Sequence, residues 1–113
     1  MGQGPLVSQP LDAATRFASS RPVSGTDLDH CYAGWQGSAK IIQPETGLQI
    51  GIRAIRGANY CVIYTPTDPP CFCFEPVSHS TAAFEAPDPE AARLKLLRPC
   101  EEFVLAIAIE AGL

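Results

Sequence analysis

Short apolar runs separated by turn-forming residues follow one another along most of the chain, which is typical of β-structure. Residues 1–26 differ, because glycine, proline and small polar residues dominate them, and at most one short helical turn at 11–17 is expected there. Residues 34–37, 44–47 and 56–59 carry turn chemistry. The segments predicted as strands are 31–33, 39–43, 48–55, 60–65, 71–74, 93–97 and 102–110.

Two of the predicted strands differ in how their apolar residues are spaced. Residues 48–55 alternate apolar with polar or small side chains, so we expect a half-buried strand. Residues 60–65 are continuously apolar, β-branched or aromatic, which predicts a central strand buried on both faces. The sequence therefore predicts an all-β, antiparallel sandwich or part of one. An extended segment, 1–26, precedes the β-sandwich portion, 27–113.

The length and the charge of the chain narrow the classes of function. The 113 residues suit one small domain, and 12 acidic against 8 basic residues give a net charge of −4. No basic cluster is present that would bind nucleic acid, and no apolar run would span a membrane. The five cysteines are odd in number and favour the cytoplasm. Their spacing favours small apolar residues over a zinc site, so we expect no metal. Because little chain remains to cover strands that are apolar on both faces, we also expect a larger sandwich or a homo-oligomer.

Glu75 is the candidate for chemistry that stands out. It ends the apolar run Cys71-Phe72-Cys73-Phe74, and Pro76 is expected to terminate that strand because it lacks an N–H. Partial desolvation disfavours the charged form of a carboxyl group, which suits a general base. The alternative is an ordinary solvent-facing acid just beyond a strand.

Four collinear motifs resemble the C-terminal third of the aldose 1-epimerase (galactose mutarotase) family. They are Leu28-Asp29-His30-Cys31-Tyr32-Ala33-Gly34-Trp35-Gln36-Gly37, Tyr64-Thr65-Pro66, Phe72-Cys73-Phe74-Glu75-Pro76-Val77-Ser78-His79 and Leu97-Arg98-Pro99. The resemblance covers residues 9–112. It implies part of a galactose-mutarotase-like supersandwich, with a sugar cleft across one sheet.

The resemblance also implies an isomerase reaction, the interconversion of the α and β anomers of an aldose such as galactose or glucose. It implies that Glu75 is the catalytic base, that Asp29 binds sugar hydroxyls and that His30 shapes the same region. No cofactor is implied, because only protons move. His79 would line the cleft or cap its loop. Trp35 is a substrate-binding candidate, although packing in its glycine-flanked turn is favoured over stacking on sugar.

The sequence departs from the family pattern in ways that bear on activity. The acid histidine of the family, a second histidine and a sugar-binding arginine come from an upstream part that this sequence does not contain. Residues 82 and 85 differ from the usual Asp and Asn, and Cys100 replaces a common glycine. We therefore expect a truncated member with an incomplete site, and neither His30 nor His79 is assigned as the acid from the sequence. The alternatives are a non-catalytic carbohydrate-binding module and an inactive structural fragment.

Overall fold

Six β-strands make up the fold of the residues that the structure, a computed structural model, describes: 17, 20–23, 25–68, 71–80 and 94–113. Short turns connect the first four strands, as the glycine and proline positions predict. The strands are β1 (Asp29–Ala33), β2 (Ser38–Gln43), β3 (Leu48–Arg56), β4 (Tyr60–Tyr64), β5 (Cys73–Val77) and β6 (Ala106–Gly112).

The strands form two antiparallel sheets of three strands each, in the orders β1-β4-β5 and β2-β3-β6. The all-β, antiparallel class is thereby confirmed. Strand pairing is regular in the first sheet, whereas β3 carries an irregularity between Ala54 and Arg56 opposite β6. The stacking of two sheets as a sandwich, and the likeness to a mutarotase supersandwich, stay predictions.

Burial in β4 follows a period of two. Cys61 and Ile63 are 4% and 7% exposed, whereas Tyr64 is 41% exposed. The expectation of burial on both faces is therefore wrong for this strand. A three-stranded sheet has only one face covered here, and the continuous apolar run of β4 supplies a core on that face and an accessible surface on the other.

Three predicted boundaries also differ from the structure. Strand β5 continues through Pro76 to Val77, because β5 is an edge strand and a missing N–H is tolerated there. Of the predicted strand at 93–97, residues 94–97 are described and form no strand. Strand β6 begins at Ala106 rather than at 102, since its partner β3 ends at Arg56. The predicted helical turn at 11–17 and most of the segment 1–26 lie outside the described residues.

The segment before β6 crosses the turn between β3 and β4. Gly57 in that turn has a positive φ of 84°, and a Cβ atom on it would lie 2.6 Å from the carbonyl oxygen of Val104. Only glycine allows this approach. The contact brings Leu105, which precedes a strand of the second sheet, close to the first sheet.

Apolar side chains remain exposed on both sheets, for example Tyr64 at 41% on the first and Ile109 at 62% on the second. Exposed apolar area of this kind is compatible with the expected oligomer, which stays a prediction. None of the described residues forms a helix with the length and apolar character needed to cross a membrane.

Truncation of Ile63 to alanine should lower the free energy of unfolding by about 2–4 kcal/mol, because it removes buried methyl groups from a small core. The matched control is Ile55→Ala, on a side chain that is 57% exposed, for which we expect a change below about 0.5 kcal/mol. Urea titration followed by circular dichroism measures both. Equal effects of the two substitutions would contradict a core on this face of the first sheet.

Alkaline pH should destabilise the fold through Cys61. Burial, and secondarily the charge of Cys31, raise the pKa of this thiol from 9.0 to about 11. Between these two pKa values, the folded state keeps the thiol proton that the unfolded state releases. The contribution of Cys61 to the free energy of unfolding is therefore complete below pH 9 and is lost as the pH rises towards 11. The expected loss is about 2–3 kcal/mol. Urea titrations between these pH values should show it, and a Cys61→Ala variant should show a flatter dependence.

Candidate functional site

A cleft of about 460 Å³ opens on the sheet β1-β4-β5 and holds three of the residues that the sequence singled out. Asp29 comes from β1, Glu75 from β5, and His79 from the chain just after β5. The volume lies within the range of about 300–1,000 Å³ that is common for ligand pockets. The full lining is Asp29, Val62, Tyr64, Glu75, Pro76, Val77, Ser78, His79, Ser80 and Leu105.

Strand register explains why Asp29 and Glu75 share this cleft. Asp29 lies opposite Tyr64, which lies opposite Cys73 on the next strand. Directly paired residues of antiparallel strands point to the same face, and residues two apart on one strand do so as well. Asp29 and Glu75 therefore project from one face, two strands apart and displaced by two residues. Strand spacing and rise place their Cα atoms about 12 Å apart, which leaves room for a ligand between the carboxylates.

The position of Asp29 is fixed by the buried residue Thr65. The backbone N–H of Leu28 donates to Thr65 Oγ1 at 2.9 Å, and the N–H of Thr65 donates to the carbonyl of Leu28 at 2.9 Å. The hydroxyl of Thr65 also donates to the carbonyl of Thr26 at 3.2 Å. These bonds hold the chain directly before Asp29 against the end of β4.

Glu75 lies at the centre of β5 and is exposed. The expectation that its strand would desolvate it is therefore wrong, because β5 is an edge strand and the carboxylate lies on the accessible face. The neighbouring Cys73 lies on the same face, and its pKa is raised by loss of hydration, by a hydrogen bond with Cys71 and by the charges of Cys71 and Glu75.

His79 is partly buried, and its ring is oriented by a hydrogen bond. Its Nδ1 atom lies 3.0 Å from the carbonyl oxygen of Ser80. A carbonyl can only accept a hydrogen bond, so Nδ1 carries the proton. The second ring nitrogen, Nε2, is then the atom at which His79 gains or releases a proton.

His30 and Trp35, two other predicted binding residues, lie outside the cleft. His30 alternates with Asp29 on β1 and faces the opposite side of the sheet, where its ring centroid lies 6.3 Å from that of Tyr32. Trp35 packs edge-to-face on Phe74 at 5.5 Å and donates to the carbonyl of Ser38 at 3.0 Å. A role for either residue in this cleft is not supported by these positions. The preference for packing over sugar stacking at Trp35 agrees with its contacts.

Tyr64 and Leu105 line the cleft without having been singled out as site residues. Alternation along β4, combined with the pairing of β1 and β4, would have identified Tyr64. No local signal in the sequence identifies Leu105, because its position depends on the crossing of the chain over Gly57.

The cysteines are all free in the structure, and only Cys61 is buried. Their interpretation as small buried residues is therefore wrong for Cys71 and Cys100, which are exposed. Among the described residues, no group of three or more His, Cys, Asp or Glu side chains is arranged to hold a metal ion.

Comparisons of this chain with family models, with curated proteins and with solved structures gave no match. The resemblance to aldose 1-epimerases stays a prediction from the sequence motifs.

Replacement of Thr65 by valine should lower the free energy of unfolding by about 1–3 kcal/mol, because it leaves the buried N–H of Leu28 without its acceptor. Hydrogen exchange at the Leu28 amide should accelerate as well. Thr65→Ser keeps the hydroxyl and serves as the matched control. If valine and serine have the same effect, the hydroxyl does not hold the chain at Asp29.

Proposed function

We propose that this protein binds an aldose in the cleft of the first sheet and interconverts its α and β anomers by acid–base ring opening. The observation that supports the proposal is the shared face of Asp29 and Glu75, the two residues to which the resemblance gives substrate-binding and base roles. Both carboxylates were chosen from the sequence, and a register different by one residue would have separated them.

Glu75 acts as the base in this proposal. Its carboxylate removes the proton of the anomeric hydroxyl while the ring oxygen is protonated, so the bond between C1 and the ring oxygen breaks and an aldehyde forms. Rotation about the C1–C2 bond and closure on the other face of the carbonyl give the second anomer. Only protons move, so the reaction requires no metal or cofactor.

Asp29 and Tyr64 bind the sugar in this arrangement. The carboxylate of Asp29 accepts hydrogen bonds from sugar hydroxyls, as Asp and Glu commonly do when ionised. Tyr64, which is 41% exposed, offers a ring surface and a hydroxyl next to Asp29. Tyr64 thereby provides the aromatic contact with the sugar for which Trp35 was the candidate from the sequence.

A second candidate function is carbohydrate binding without catalysis. The exposure of Glu75 favours it, because a hydrated carboxylate lacks the apolar surroundings that often tune a catalytic base. Cytoplasmic location and self-association accompany either function as predictions.

Glu75→Gln should lower the rate of mutarotation by about 10²–10⁴-fold, because the amide keeps the shape of the side chain and cannot accept the anomeric proton. The matched control is Glu45→Gln in the turn between β2 and β3, on the other sheet, which should retain the wild-type rate. Polarimetry on freshly dissolved α-D-galactose or α-D-glucose in dilute buffer measures the rates.

Two results separate the candidate functions. If the wild-type chain follows the spontaneous rate, the protein is no mutarotase under these conditions. If NMR titration then still shows chemical-shift changes at Asp29 and Tyr64 on addition of the sugar, and Asp29→Asn removes them, the carbohydrate-binding function is retained. Absence of both effects would refute both functions.

A further inference from the structure

We propose that His79 is the general acid of this cleft, the group that protonates the ring oxygen while Glu75 acts as base. The inference deepens the proposed function and rests on it. The proposed reaction needs a proton donor as well as a base, and histidine is the side chain that most often takes the donor role. The sequence contains two histidines, and the structure separates them clearly.

Position is the first argument for His79. It follows the end of β5 by two residues and lines the same cleft as Asp29 and Glu75. A donor and a base that act on one anomeric centre must both reach the same small molecule. The lining of the cleft meets this condition with residues of β1, β5 and the segment that follows β5.

Ring orientation is the second argument. Because Nδ1 donates to the carbonyl of Ser80 at 3.0 Å, the imidazole is held in one tautomer. The other nitrogen, Nε2, then binds the exchangeable proton. A second group that fixes the ring of a catalytic histidine in this way is a common requirement for directed proton transfer.

His30 lacks both properties. It projects from the opposite face of the sheet and is not part of the cleft lining. Its Nδ1 accepts a hydrogen bond from the backbone N–H of Asp29 at 3.1 Å. His30 is therefore a matched control for substitutions at His79, with the same residue type outside the cleft.

The proton balance closes with these two residues. Ring opening transfers the anomeric proton to Glu75 and the Nε2 proton of His79 to the ring oxygen, which becomes the C5 hydroxyl in a pyranose. After rotation about C1–C2, the C5 hydroxyl attacks the aldehyde and returns its proton to His79. Glu75 returns its proton to the former aldehyde oxygen, so both side chains regain their initial states and nothing else is consumed.

Every ionisable group of the cleft contributes to the pH dependence of the proposed reaction. In the described lining these are Asp29 of β1, Tyr64 of β4, Glu75 of β5 and His79, while Leu105, from the segment before β6, is apolar. The mechanism needs ionised Glu75 and protonated His79, which gives a bell-shaped dependence of kcat/KM on pH. Loss of the proton that the acid donates accounts for the alkaline limb.

The test compares His79→Asn with His30→Asn, measured by polarimetry over a range of pH alongside wild type and Glu75→Gln. Asparagine keeps an amide N–H near the position of Nδ1, and with it the hydrogen bond to Ser80, but places no group at Nε2. We expect His79→Asn to lower kcat/KM by about 10²-fold or more and to lose the alkaline limb. His30→Asn should keep both the rate and the profile, and thermal unfolding should show that the variants are folded.

The outcomes distinguish failure of this inference from failure of the proposed function. If Glu75→Gln is slow and His79→Asn is as fast as wild type, His79 is not the acid and the mutarotase function is retained. A slow His79→Asn variant with an unchanged alkaline limb would assign His79 a structural role and overturn the inference. A wild-type rate equal to the spontaneous rate refutes the function and the inference together.

A measurement that does not depend on turnover completes the test. Nitrogen-15 NMR of the histidine side chains reports which ring nitrogen carries the proton of the neutral form. We expect the Nδ1–H tautomer for His79, as its bond to Ser80 requires. A neutral Nε2–H tautomer would show that the bond to Ser80 does not orient the ring and would overturn the inference.

Discussion

The register of three antiparallel strands determines which strand side chains line the cleft. Strands β1, β4 and β5 pair without a bulge, so alternate residues on all three strands project from the same face. One face carries the buried Cys61 and Ile63, and the other carries Asp29 and Glu75. A slip of one residue in either pairing would exchange core and cleft side chains, so stability and site geometry depend on the same hydrogen-bond ladder. The buried hydroxyl of Thr65 strengthens that ladder at the point where Asp29 begins.

Local patterns in the sequence were sufficient to predict most of the strands. They were insufficient to predict which neighbouring strands and segments each strand pairs with or contacts. The turn residues between 34 and 59 gave β2, β3 and β4 nearly at their observed limits, because glycine and proline act on the backbone directly. The patterns at Pro76 and at 94–97 led to wrong predictions for the same reason. Whether a segment forms a strand depends on the strand with which it pairs. Pro76 is accepted since β5 lies at an edge, and the alternating residues 94–97 form no strand since no strand among the described residues pairs with them.

The same distinction explains which site residues could be predicted. Asp29 and Glu75 were identified by motif, but their shared face depends on how β1 and β5 pair with β4, which no local motif encodes. His30 was grouped with Asp29 because the two are adjacent in sequence, yet adjacency on a strand places side chains on opposite faces. Leu105 required knowledge of the path of the chain over Gly57, a contact between segments almost fifty residues apart that no local pattern encodes.

The exposure of Glu75 changes how a reaction in this cleft would be achieved. A buried carboxylate gains basicity from loss of hydration, whereas an exposed one depends on where it is held. In this fold Glu75 is held by β4, whose Val62 pairs directly with it, and by Pro76, which restricts the backbone of the residue that precedes it. His79 is restricted in a comparable way by the carbonyl of its neighbour Ser80. Two groups fixed by backbone contacts, rather than one group tuned by burial, are therefore what this small sheet offers to the proposed proton transfer.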